Sequence, residues 1–209
     1  MFSLIDGEDT SAESVGFRLC GFWSLPIGVR GVMLGGMSRL RRLVLSDRFF
    51  LISCRLARRC EPLSEAEFEQ LAKVVRQRRE EHGFLLTAWV FHPDPWHAII
   101  FPRYPLTLSR VMEAIKVGST LRINSARRRT GLLWQPRFFD RVLRTVKECS
   151  EKVEYIHLNP VKAGLVRRAE DWPWSSVREY SGTLREKATR HPTLPIDRVL
   201  LPSEGRTRI

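Results

Sequence analysis

Two short apolar runs, residues 84–91 and 96–101, flank Pro93, Asp94 and Pro95, and this pairing limits the folds open to the chain more than any other feature. Runs of that length bounded by proline and aspartate read as two strands joined by a tight turn, so they predict an antiparallel pair. Residues 49–56 form an earlier β-prone run. Ser64 and Glu67 make a capping box that opens a helix with Phe68, Leu71 and Val75 on one face and Gly83 as its stop. Residues 108–129 predict a second helix with Leu108, Val111, Met112 and Ile115 inward, closed by Gly131. A strand over 134–139 and a helix over 145–158 complete the series.

The order β-α-β-β-α-β-α is an α+β, ferredoxin-like arrangement. Helices back one side of an antiparallel sheet, and the other side stays free for a site. The last helix carries the chemistry. Tyr155 and Asn159 are four residues apart, so at about 100° per residue they lie roughly 40° apart on one face. Val146, Cys149, Val153 and Ile156 form the neighbouring apolar stripe. Pro160 disfavours helical geometry at Asn159, which puts the asparagine near the helix end. A phenol one turn from an amide oxygen suits a nucleophile beside a metal ligand, although a tyrosine at such spacing more often only packs.

Charge points to a polyanionic partner. The chain has 209 residues, a net charge of +12 and a pI near 10.4. Between Arg103 and Arg129 the basic residues Arg103, Arg110, Lys116, Arg122, Arg127, Arg128 and Arg129 face a single acid, Glu113. A solvated helix face would explain some of them, but the deficit of acids favours phosphate contact. No run of 18 apolar residues could span a membrane. Cys20, Cys54, Cys60 and Cys149 show neither CxxC nor zinc spacing, as expected of reduced thiols in a cytosolic protein. Residues 1–37 read as a poorly ordered extension whose acids have the wrong sign for a signal peptide. Residues 183–209 read as a polar tail that adds nothing to the core.

Four segments, in order, resemble the IS200-like (Y1, HUH-type) transposases, in particular the REP-associated tyrosine transposase branch. They are WVFHPDPWHAII at 89–100, LWQPRFFDR at 133–141, EYIHLNPVKAGLV at 154–166 and DWPWSSVREY at 171–180. The likeness covers residues 38–182, the expected domain. It implies Tyr155 as nucleophile, His97 and Asn159 as ligands of a divalent metal (Mg²⁺ or Mn²⁺), and attack that leaves a 5′-phosphotyrosine and a free 3′-OH. It also implies that the arginines and lysines named above, with Lys162, grip single-stranded or hairpin DNA. The setting implied is the bacterial cytoplasm, at the nucleoid, with monomer and homodimer both open.

The chain departs from that family at one position. Where the family has histidine, hydrophobic, histidine, this sequence has Pro95, Trp96 and His97. Proline offers no ligand. His92 is nearby, but an odd separation from His97 predicts opposite faces of a regular strand; only if Pro93 and Pro95 break that regularity does His92 replace the missing ligand. The expectation is therefore a weakened metal site. An active transposase then competes with a DNA-binding derivative that nicks poorly, and behind both stands an RNA-binding module.

Overall fold

The computed structural model describes residues 47–180 and 194–198, so the expected extension over 1–37 lies outside the described residues. Its elements are β1 (Phe49–Cys54), α1 (Glu65–His82), β2 (Leu85–Val90), β3 (Trp96–Phe101), α2 (Leu108–Ala126), β4 (Phe139–Leu143), α3 (Val146–Lys162) and the short α4 (Val177–Tyr180). The sheet is antiparallel with strand order β2-β3-β1-β4. The α+β architecture expected from the sequence is the one observed.

Strand alternation divides the core in two. Phe50, Ile52, Leu86, Ala98 and Ile100 point to one face, where they pack with Phe68, Leu71 and Val75 of α1 and Val111, Met112 and Ile115 of α2. Leu51, Ala88, Val90 and Ile99 point to the other face and meet Cys149 and Ile156 of α3. α1 opens on the predicted capping box, with the Glu67 carboxylate accepting the Ser64 N–H at 2.8 Å. It ends at Gly83, whose φ of 70° is the left-handed geometry that favours glycine. The cysteines among the described residues are free thiols. No helix among them is long and apolar enough to cross a membrane.

Several boundaries differ from the sequence reading. The fourth strand is Phe139–Leu143, not 134–139, because Pro136 interrupts donation while Leu133 and Trp134 bury in the helix-side core. Trp134 makes only an isolated bridge, to Leu56. α2 stops at Ala126, since Arg127 turns to pair with Glu67 and Arg128 takes a φ of 51°. α3 continues through Pro160 to Lys162, so Asn159 lies within its last turn rather than at its end. Part of the tail also enters the core. Leu194 is fully buried, and Asp197 bridges to Arg79 at 2.6 Å and accepts the Leu86 N–H at 2.9 Å.

Candidate catalytic and metal site

His97 is the second residue of β3, paired with Val90 of β2 and Ser53 of β1 on the sheet face that α3 covers. Its ring is buried, and the Tyr155 ring of α3 stands 6.0 Å away, centre to centre, at 76°. Tyr155 remains 37% exposed, which leaves room for a substrate to reach it. Lys152 and Lys162, three residues before and seven after, fall on the same helix face. Their ammonium nitrogens lie 5.8 Å and 5.2 Å from the Tyr155 ring centre. The Asn159 amide nitrogen donates to the Tyr155 carbonyl at 2.9 Å, which leaves its amide oxygen as the remaining acceptor.

His92 does not face away from His97, contrary to the parity expectation. That expectation counted straight through the turn as though 92 and 97 shared one strand. They lie on opposite arms of a hairpin, where faces are fixed by pairing. Val90 pairs with His97. His92 lies two residues beyond Val90, and its ring sits on the side of the sheet where His97 lies. The His92 and His97 ring centres are 6.0 Å apart. The turn between them is anchored, since the Asp94 carboxylate accepts the Leu56 N–H and the Pro93 carbonyl accepts the Leu63 N–H, each at 2.9 Å.

Burial pushes the His92 pKa down to about 4. The same burial, aided by His92 and Arg55, pushes His97 to about 4. Both imidazoles are therefore neutral at pH 7 and keep a ring-nitrogen lone pair. His92 Nε2 is buried without a hydrogen-bond partner among the described residues. Its ring lies 6.3 Å from that of Trp172, whose indole N–H donates to the Phe91 carbonyl at 2.9 Å. An orphaned imidazole nitrogen beside a second neutral imidazole is a donor set that fits a divalent ion. Among the described residues, no cluster of three or more His, Cys, Asp or Glu side chains makes an alternative metal centre.

The basic residues divide differently. Lys162 joins the tyrosine, whereas those of α2 lie on the layer across the sheet from α3. Lys116 donates to the carbonyls of Gln135 at 2.6 Å and Pro136 at 3.0 Å, so it holds the chain leading to β4. Arg122 reaches Gln77 of α1 at 2.7 Å. Arg127 is engaged by the Glu67 carboxylate and the Glu61 and Pro62 carbonyls, and Arg129 by the Cys60 sulfur at 3.4 Å. Arg103 and Arg128 are exposed, as is Arg110, which pairs with Glu113 at 3.1 Å. The sequence reading did not single out Lys152, although its three-residue spacing from Tyr155 was legible. It also passed over Arg55, which follows the β1 strand end beside His97 and acts on its charge.

Comparison with known proteins places this geometry. The family model for IS200-like transposases matches residues 51–159. An Escherichia coli REP-associated tyrosine transposase is 29% identical over 143 residues, covering 67% of this chain and 82% of the relative. A Haemophilus influenzae protein described as a candidate REP-associated tyrosine transposase is 40% identical over 150 residues, covering 67% and 85%. A solved REP-associated tyrosine transposase bound to a REP hairpin shares the fold, with a TM-score of 0.62 and 24% identity over 79% of this chain and 100% of that one.

Proposed function

The chain belongs to the IS200-like transposase family, and from that premise we propose that it cuts and rejoins single-stranded or hairpin DNA through a covalent link to Tyr155. The observation that carries this reading is the accessible Tyr155 phenol, 6.0 Å from the His97 ring and flanked by two lysines. The neighbour of the same fold that binds a REP hairpin supports hairpin DNA as the substrate class. Such a substrate puts the protein in the bacterial cytoplasm, at the nucleoid.

A phenol that keeps its proton is a weak nucleophile, so its attack needs help. Tyr155 attacks the scissile phosphorus, forming the phosphotyrosine bond and breaking the bond to the 3′ oxygen. The proton lost by the phenol ends on that departing oxygen, giving a 3′-OH. The reverse attack by another 3′-OH rejoins the strand without ATP. Lys152 and Lys162 attract phosphates on either side of the phenol. His97 and the Asn159 amide oxygen would hold a divalent ion such as Mg²⁺ or Mn²⁺, which would polarise the phosphoryl oxygens. The exposed Arg103, Arg110 and Arg128 extend phosphate contact beyond the site.

A labelled hairpin incubated with protein and Mn²⁺ tests this. The expected result is a protein–DNA adduct that survives denaturation and disappears in Tyr155→Phe. Equal nicking by Tyr155→Phe would overturn it. Pro95 favours a second reading, a DNA-binding derivative that nicks weakly, for which hairpin binding without adduct is the expected result.

A further inference from the structure

A single imidazole with an amide oxygen is a thin donor set for a catalytic ion, and Pro95 cannot enlarge it. The hairpin register offers another source. His92 leaves β2 two residues beyond Val90, the partner of His97, and its ring centre lies 6.0 Å from that of His97. An imidazole missing from one arm of the hairpin therefore has a counterpart on the other arm, within reach of His97.

We infer that His92 and His97 together, one from each arm of the β2–β3 hairpin, hold a divalent metal ion beside Tyr155, with His92 standing in for the imidazole that Pro95 cannot provide. The inference rests on the reading of Tyr155 given above and names the ligands of that same site. Three observations carry it. The ring centres are 6.0 Å apart, and with metal–nitrogen bonds of about 2.1 Å two imidazoles sharing one ion have centres no more than roughly 6.5 Å apart. His92 Nε2 is buried and has no hydrogen-bond partner among the described residues, a cost that a metal bond would remove. His92 is also fixed in place. The Asp94 and Pro93 contacts anchor its turn, and the Trp174 carbonyl accepts the Phe91 N–H at 2.9 Å just before it.

A structural role for His92 would predict something different. A histidine retained only for packing would satisfy its ring nitrogens within the protein, as His157 does with its Nε2 2.9 Å from the Ser176 hydroxyl. His92 Nε2 stays unsatisfied beside a second buried imidazole.

Co²⁺ binding to the full chain, followed by calorimetry and by the visible absorption of the bound ion, tests the inference without DNA. His92→Gln and His97→Gln are each expected to weaken Co²⁺ binding by about 10-fold or more, and the double variant His92→Gln/Pro95→His to recover it. Affinity of His92→Gln within about twofold of the parent would overturn the inference. Should His92→Gln fail to fold, paramagnetic NMR of the unmodified Co²⁺-loaded chain gives the answer. Two hyperfine-shifted imidazole N–H signals are expected, and one alone would overturn it. A parent chain that binds no Co²⁺ overturns it as well. Hairpin binding in EDTA and the Tyr155 adduct judge the transposase reading separately, so one can fail while the other stands.

Discussion

His157 Nε2 lies 2.9 Å from the Ser176 hydroxyl, and the same hydroxyl accepts the Trp89 N–H at 3.0 Å. One side-chain oxygen thus joins α3, which carries Tyr155, to β2, which leads into His92. The WPWSS segment at 172–176 is what brings it there. The Ser176 N–H donates back to the Trp89 carbonyl at 3.0 Å, and Val90 bridges Ser175, so the segment runs along the open edge of β2.

Ser176→Ala should therefore cost more than a hydroxyl. It strands the buried Trp89 N–H and the His157 ring nitrogen together, a loss of about 1–3 kcal/mol. Urea unfolding is expected to show that loss, and the Tyr155 adduct should form more slowly while hairpin affinity in EDTA holds. An unchanged midpoint would mean that water replaces the hydroxyl.

His157 also sets a pH dependence. Burial pushes its pKa down to about 4, from an ordinary value of 6.5, and its ring packs against that of Tyr180, 4.9 Å away. Between those values the unfolded chain takes up a proton that the folded chain refuses. Stability present above pH 6.5 is then lost as pH falls toward 4. Urea midpoints at about pH 7 and pH 5 should differ in this direction, and His157→Gln should narrow the difference. An equal drop in the variant would assign the effect to other groups.

The two groups of basic residues should separate by experiment. Lys152→Gln and Lys162→Gln are each expected to reduce the salt dependence of hairpin binding, by about one unit of log–log slope for every phosphate left without its lysine, with little effect on stability. Arg127→Gln should do the reverse. It leaves the half-buried Glu67 carboxylate, whose pKa is lowered mainly by the Arg127 hydrogen bond acting against burial, without its partner. A stability loss of about 1–3 kcal/mol with an unchanged slope is the expected result.

At Gly118 the two backing helices come close together. A Cβ there would lie 3.0 Å from the Val74 Cγ1 and 3.3 Å from the Arg78 side chain. Gly118→Val should cost about 1–3 kcal/mol through overpacking, read as a lower Tm. Full stability in the variant would show that α1 and α2 can move apart freely.

Local signals in the sequence were good guides to this fold. The Ser64–Glu67 box, the α2 stripe and the Pro93–Pro95 turn each act within a few residues, and each stands where it was expected. β4 was hidden because Asp140 and Arg141 give it no apolar alternation; it exists through pairing with β1, such as Leu51 with Arg141, ninety positions earlier in the chain. Leu194 was hidden for a similar reason, as one leucine in a polar stretch announces no core position. The tyrosine helix and His97 were legible by resemblance. The side of the sheet on which His92 falls was not, because it depends on hairpin register rather than on distance along the chain.

Completion of β2 comes late in the chain. Its edge is closed by Ser175 and Ser176, and Asp197 and Leu194 hold the Leu86 N–H and the Trp89 indole. During synthesis at about 5–20 residues per second, a ribosome needs several seconds more to release those partners after β2 itself has emerged. Throughout that interval the nascent hairpin carries an unpaired strand edge, and Tyr155 emerges before the segment that fixes its helix to β2. The helix that carries Tyr155 is thus made first and aligned last.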